Sequence, residues 1–313
     1  MKMKSPRLIV PLLGSIALLL APARGTEIAK LQNTTALNAV GAWSGGVVPG
    51  VGDVMLWNSL YTAPGAATTL SQLGGDLSVL GLKFTNVGGA ANAATTMVGL
   101  QNTSSANTLT IGASGIDLSA ATQALMIQSK VTIGASQSWV VNNSNTNGNP
   151  AALGNGEDLA FQAFSGTTTT ATTAFNLGGN TVTTSGTGQV TITSGYAMTN
   201  GTINIGNNFF LIGGGTSRLT TVGSDVNLNV ASGSILQFQS NSAAVTSAAN
   251  IGSNGGTLRL TNNNATNQVT LTGTTTVNTA STINVGNTFG NGSVAATTGI
   301  NFNANLAAPR RWR

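Results

Sequence analysis

The chain has no cysteine and no histidine, and only 19 of its 313 residues are charged. Without cysteine there is no thiolate nucleophile, disulfide or thiolate metal centre. Without histidine there is no imidazole base or imidazole ligand. What remains is the chemistry of carboxylates, hydroxyls, amides and a few cations. Disorder at this length goes with high charge and low hydropathy, whereas here 41% of residues are hydrophobic and the mean hydropathy is +0.18. The chain can therefore bury a core while carrying almost no charge. Its 46 Thr, 35 Asn and 41 Gly mean that the polar surface must be built from hydroxyls and amides.

The net charge of +5 suggests a nucleic-acid partner until its distribution is read. Lys2, Lys4, Arg7 and Arg24 lie in the first 25 residues, and Arg310, Arg311 and Arg313 in the last four. Between them Lys30, Lys83, Lys130, Arg218 and Arg259 stand against seven acids, a balance of −2. A nucleic-acid binder needs a basic stripe to neutralise phosphates. Five dispersed cations do not make one, so no nucleic-acid partner is expected.

The amino terminus accounts for four of the seven cations outside the body. Met1 to Arg7 is cationic, Leu8 to Leu20 is apolar, and Ala21-Pro22-Ala23-Arg24-Gly25 offers small residues for cleavage. This is the pattern of a secretory signal peptide over residues 1–25, with cleavage after Gly25 preferred to cleavage after Ala23. An apolar run of 13 residues containing Pro11 and Gly14 is short for a membrane span of about 20. The expectation is a secreted or bacterial cell-surface protein with no transmembrane segment after signal cleavage.

Beyond it, short runs alternate apolar and polar residues and break at Gly, Asn or Ser. Val226-Asn227-Leu228-Asn229-Val230, Leu236-Gln237-Phe238-Gln239 and Thr257-Leu258-Arg259-Leu260 are examples. Period-two alternation places one set of side chains inside and the other outside a strand. Gly and Asn tolerate the left-handed backbone that sharp turns need. The body reads as all-β.

Spacing favours a β-solenoid over the alternative, an antiparallel β-sandwich. Leu109-Thr110-Ile111-Gly112-Ala113-Ser114 recurs as Val131-Thr132-Ile133-Gly134-Ala135-Ser136, an offset of 22. That length fits one coil of two or three short strands stacked on the next. Ile203-Asn204-Ile205-Gly206 returns as Ile283-Asn284-Val285-Gly286, an offset of 80 that is no multiple of 22. Coils of about 22 residues predict roughly 13 coils and a rod of about 60 Å at the interstrand spacing. Stacking places like residues about 4.8 Å apart, where charges repel but Thr and Asn hydrogen-bond to their neighbours. The organisation expected is a signal peptide over 1–25, an N-terminal cap over 26–60, β-solenoid repeats over 61–306 and a basic tail over 307–313.

The segment Leu109 to Val141 resembles the autotransporter-associated β-strand repeat of large bacterial surface and secreted proteins. Trp43 to Asp53, with Val54 to Trp57 after it, is similar to the region that opens the mature part of many such chains. The resemblance covers residues 40–142 well and 143–306 in composition and spacing. It implies a right-handed parallel β-helix passenger with a structural or adhesive role and no defined catalytic residues. The sequence departs from that pattern at its end. It has no set of lipid-facing strands of about ten residues that a translocating barrel needs, and no apolar anchor before Arg310-Arg311-Trp312-Arg313.

The seven acids can be weighed singly. Glycoside hydrolysis takes two carboxylates about 5–10 Å apart, but adjacent Glu157 and Asp158 would point to opposite faces of a strand. Asp53, Asp76, Asp117 and Asp225 are scattered, and Asp76 and Asp117 suit turns. Leu153 to Asp158 partly matches a calcium nonapeptide, once only, where such sites need successive copies. Gly45-Gly46 and Gly213-Gly214-Gly215 lack the Lys-Ser/Thr of a phosphate loop. Trp43, Trp57, Tyr61 and Trp139 suit either sugar stacking or a core or cap, the latter preferred. No catalytic, cofactor-binding or metal-ligating residue is assigned. The expected function is a non-enzymatic structural or adhesive β-solenoid at the cell surface or in extracellular matrix, with extracellular polysaccharide or other surface proteins as partners and end-to-end self-association through unpaired strand edges. The alternative is a polysaccharide lyase or hydrolase, or a carbohydrate-binding β-helix.

Overall fold

The computed structural model describes residues 25–62, 71–88, 97–101, 107–121, 123–142, 159–162, 173–193, 195–213, 219–240, 243–262, 269–285, 301–302 and 305–307. They form 25 strands and two single-turn 3-10 helices, Val40–Ala42 and Ser44–Gly46. Every strand ladder is parallel, which removes the sandwich alternative. Each strand pairs with one roughly a coil earlier and one a coil later, so the chain is a β-solenoid. Among the described residues no helix is long and apolar enough to cross a membrane.

The strands stack in three faces. Face A starts at Thr26–Ala29 and Asp53–Trp57 and ends at Thr274–Thr279 and Asn305–Ala307. Face B runs from 77–80 through Lys130–Ile133 and Tyr196–Thr199 to Asn301–Phe302. Face C runs from Ser71–Gln72 through Ala124–Gln128 and Ile235–Ser240 to Thr282–Val285. Some strands bend across a corner: Thr181–Thr193 and Gly201–Gly213 each serve face A and then face C.

The 22-residue offset is one coil, since Leu109, Thr110 and Ile111 pair with Val131, Thr132 and Ile133. Later coils keep a similar length, with Met198 on Val222 and Val222 on Ser247. Earlier ones vary: Leu77 pairs with Leu109, 32 residues on, and Trp139 stacks under Thr184, 45 residues on. Long connections consume chain without adding coils. Face C has eight ladder pairings and face A ten, rather than the dozen that uniform 22-residue coils would give, and the rod is about 40–50 Å long at about 4.8 Å per step. The 80-residue offset joins no equivalent positions. Ile203 lies on face A beneath Leu228, whereas Ile283 lies on face C above Leu258.

The interior is a single apolar column from Ile28 to Leu271. Val226, Leu228 and Val230 are fully buried, as the alternation predicts. Each such side chain contributes roughly 1.5–3 kcal/mol by leaving water. One coil is filled by aromatics, one from each face: Trp139, Phe161 and Phe175 meet with ring centroids 5.0–6.2 Å apart. Tyr196 follows on Phe175 at 5.9 Å. Coil-to-coil contact also dictates glycine at Gly115, whose φ is +65° and whose added Cβ would run into the Ser138 carbonyl oxygen of the next coil.

Candidate functional site

The surfaces of faces A and B that meet water are ladders of hydroxyls and amides. On face B, Ser78, Thr110, Thr132, Asn176 and Thr199 stand in register over five coils; in the neighbouring outward row, which passes through Ala197, Thr221, Thr246 and Thr270 stand in register over three later coils. On face A, Ser138, Thr183, Asn204 and Asn229 stack in the same way. Asn229 Nδ2 donates to Asn204 Oδ1 at 2.9 Å and Asn278 Nδ2 to Asn254 Oδ1 at 2.8 Å. A weaker rung joins Asn250 Nδ2 to Asn227 Oδ1 at 3.4 Å. A carboxamide is donor and acceptor at once, so each rung satisfies the next without charge. The result is a flat, neutral, hydrogen-bonding surface.

The carboxylates are used locally. Asp53 Oδ2 accepts from the Gly50 N–H at 2.9 Å and Asp117 Oδ1 from the Ser119 N–H at 2.9 Å, both turn contacts. Asp76 Oδ1 accepts from the Thr108 N–H of the next coil at 2.7 Å. Glu27 pairs with Lys83 at 2.7 Å on the outside of face A, both side chains partly exposed. Asp225 is exposed at a turn. Among the described residues, no three Asp or Glu side chains gather where they could hold a metal ion. Glu157, Asp158, the Leu153–Asp158 segment, Gly214, Gly215, Arg218, the signal segment up to Arg24 and the Arg310–Arg313 tail lie outside the described residues.

The aromatic candidates are not a sugar platform. Trp43, Trp57, Trp139 and Tyr61 are 1%, 0%, 0% and 4% exposed, so no sugar ring can reach them. Trp57 stacks on Phe84 at 4.6 Å, with Trp43 edge-on at 5.8 Å, and closes the N-terminal end of the core. Beside them Lys30 is wholly buried. Its Nζ donates to the Leu31 carbonyl at 2.8 Å, the Asn33 carbonyl at 3.0 Å and Asn33 Oδ1 at 2.8 Å, and it sits 5.6 Å from the centre of the Tyr61 ring. Burial pushes this amine down to about 8. Its three acceptors make it a pin of the cap rather than a nucleophile presented to substrate. Burial likewise pushes the Tyr196 phenol up. That hydroxyl donates to the Ser129 carbonyl at 2.6 Å and lies 3.2 Å from that of Ile127.

Sequence reading missed the outside of face C. There Met126, Ala160, Thr191, Leu211 and Gln237 form one outward row in register, and all five are buried. Gln239 and Thr261, in the next row, are 0% exposed. Gln237 Nε2 donates to Gln239 Oε1 at 2.8 Å and to Thr261 Oγ1 at 3.1 Å, and Arg259 Nη1 approaches Gln237 Oε1 at 3.4 Å. The signal was present: Leu125-Met126-Ile127, Leu159-Ala160-Phe161 and Phe209-Phe210-Leu211-Ile212 are continuous apolar runs, the mark of a strand covered on both sides. From Met126 to Thr261 the outside of face C is thus largely shut off from water, and among the described residues the long polar rows that meet water lie on faces A and B. Compared with protein-family models, curated proteins and solved structures, the chain matches none of them.

Proposed function

We propose that the chain is an exported, non-enzymatic β-solenoid with a structural or adhesive role, and that the hydroxyl and amide ladders of faces A and B are its contact surface. The carrying observation is the ladder itself: Ser78 to Thr199 on face B and Ser138 to Asn229 on face A repeat one chemistry at the pitch of the rod. A repeating neutral surface suits a repeating polar partner, an extracellular polysaccharide or the ladder of another surface protein, through many weak bonds acting together. Export is supported by the Met1–Gly25 pattern, and cleavage after Gly25 leaves the first strand, Thr26–Ala29, whole. The resemblance of Leu109 to Val141 to autotransporter-associated repeats points the same way.

The test is to express the full chain in a bacterium, recover the exported fraction and measure its intact mass. A species beginning at Thr26 is expected, whereas a cytoplasmic chain retaining Met1 overturns export. The recovered protein is then assayed on immobilised neutral and acidic polysaccharides for retention and for release of reducing or unsaturated ends. Retention that weakens when Asn204, Asn229 and Thr183 are replaced by Ala supports the contact surface. Release of cleaved ends sinks the non-enzymatic reading in favour of a lyase or hydrolase.

A further inference from the structure

The outer side of face A divides into two halves of different chemistry. Over the first coils it is charged: Lys83 stands in register with Asp117 and pairs with Glu27 at 2.7 Å. From Thr181 onward it carries two parallel rows with no charge in either. One row is Thr181, Thr202, Asn227 and Asn250, and the other is Thr183, Asn204, Asn229, Gly252 and Thr276. All of these residues are at least partly exposed. The inward residues between the rows, Val182, Ile203, Leu228 and Ile251, are buried and brace the sheet from within.

Alternate residues of a strand lie about 6.6 Å apart and neighbouring strands about 4.8 Å apart, so the two rows form a grid with those spacings. Its amides are fixed before any partner arrives. Asn229 Nδ2 donates to Asn204 Oδ1 at 2.9 Å, and Asn250 Nδ2 to Asn227 Oδ1 at 3.4 Å. Each rung uses one N–H and one lone pair, which leaves every carboxamide with donor and acceptor capacity to spare, and a Thr hydroxyl likewise both donates and accepts. Only Gly252 brings no side chain to the grid. Face B offers no equivalent, because its rows are interrupted by Lys130, Ala174 and Ala197.

The partner that fits such a grid is neutral, repeats at a similar pitch, and both donates and accepts at every point. Ice meets all three conditions. Each of its lattice oxygens donates and accepts, and those oxygens repeat at spacings close to both sides of the grid. An ammonium only donates and a carboxylate only accepts, so charged rows could not take the place of lattice water. We propose that the charge-free half of face A, from Thr181 to Thr276, binds the surface of ice, its hydroxyls and amides standing in for the outermost layer of lattice water. Each contact is weak, but the preorganised grid lets them act together at little ordering cost. The inference uses part of the surface offered above for adhesion and does not rest on polysaccharide binding.

The test uses the full exported protein. A ball of ice is grown slowly in its dilute solution, and the protein concentrations in the ice and in the remaining liquid are compared. Enrichment in the ice is expected, with faceted crystals in place of rounded ones on a cooling-stage microscope. Thr183→Lys with Asn229→Lys puts two charges into the grid and should lower the enrichment about tenfold or more. Thr221→Lys with Thr246→Lys puts the same charges on face B and should leave it unchanged. Unchanged circular dichroism shows that either variant is folded, and the single Thr202→Lys replaces the first pair if that pair unfolds the chain. No enrichment of the unmodified protein overturns the proposal, and so does an equal loss in the face B variant. Retention on polysaccharide without enrichment in ice overturns this inference and leaves the adhesive reading intact.

Discussion

Val226–Ala231 and Ile235–Ser240 follow one another in the same coil and alternate apolar with amide side chains in the same way. Yet Asn227 faces water, while Gln237 and Gln239 have no exposure at all. The first strand lies on face A and the second on face C. Alternation tells which side of a strand points into the solenoid. It does not tell whether the other side is wet. On face A the outward amides meet solvent and bond only along the ladder, so each is worth little. On face C they bond to one another out of water, where any unmatched donor or acceptor costs its full desolvation.

The comparison can be tested from the inside outward. Leu228→Ala on face A and Leu236→Ala on face C both open the shared core and should each cost about 2–5 kcal/mol, read from the denaturant midpoint. A large difference between them would mean that the faces differ inside as well as out. Gln237→Ala removes one buried partner each from Gln239 Oε1, Thr261 and Arg259 and should cost about 1–3 kcal/mol, whereas Asn229→Ala should stay within about 0.5 kcal/mol. Equal losses would show that the outside of face C is hydrated in solution.

Lys30 extends the comparison to the N-terminal end, where a buried cation replaces a buried amide. Its folded value of about 8 lies below the unfolded 10.5. Between those pH values the unfolded chain holds the extra proton, so stability should rise with pH from about 8 to 10.5 and be flat with respect to this group below 8. Melting temperatures of the parent and of Lys30→Met across pH 7–10 check this: the rise should vanish in the variant. The smallest effect belongs to the wet ladder. Asn204→Asp combined with Asn229→Asp puts like charges on adjacent strands and should cost about 0.2–1 kcal/mol at low salt. Added salt should remove most of that loss, and a salt-independent loss would show that this ladder is drier than its exposure indicates.

Much of the fold was legible. The Leu109/Val131 repeat states the coil length directly, because a parallel stack makes sequence offset and spatial register the same thing. Burial of Trp43, Trp57 and Trp139 was the preferred reading, and the geometry places all three inside. The Ile203/Ile283 likeness misled for a physical reason: a short strand with one buried side needs the same alternation on any face, so similar runs need not be equivalent positions. The coil count was overestimated because the 45-residue step from Trp139 to Thr184 looks, in composition, like two ordinary coils. Lys30 gave no local signal either, since its acceptors are carbonyls and one amide set by how the cap folds.

By itself the sequence determined the all-β class, the inward residues and the neutral surface, and its 22-residue offset favoured a stack of coils over a sandwich, a choice that the parallel ladders then closed. These follow from local alternation, turn residues and a repeat offset, which act between neighbours along the chain or one coil apart. Only the tertiary structure decided which outward row is dry and which end is closed by Trp43 and Trp57. Those outcomes depend on what lies over a strand, and the residues within the strand do not encode their own cover.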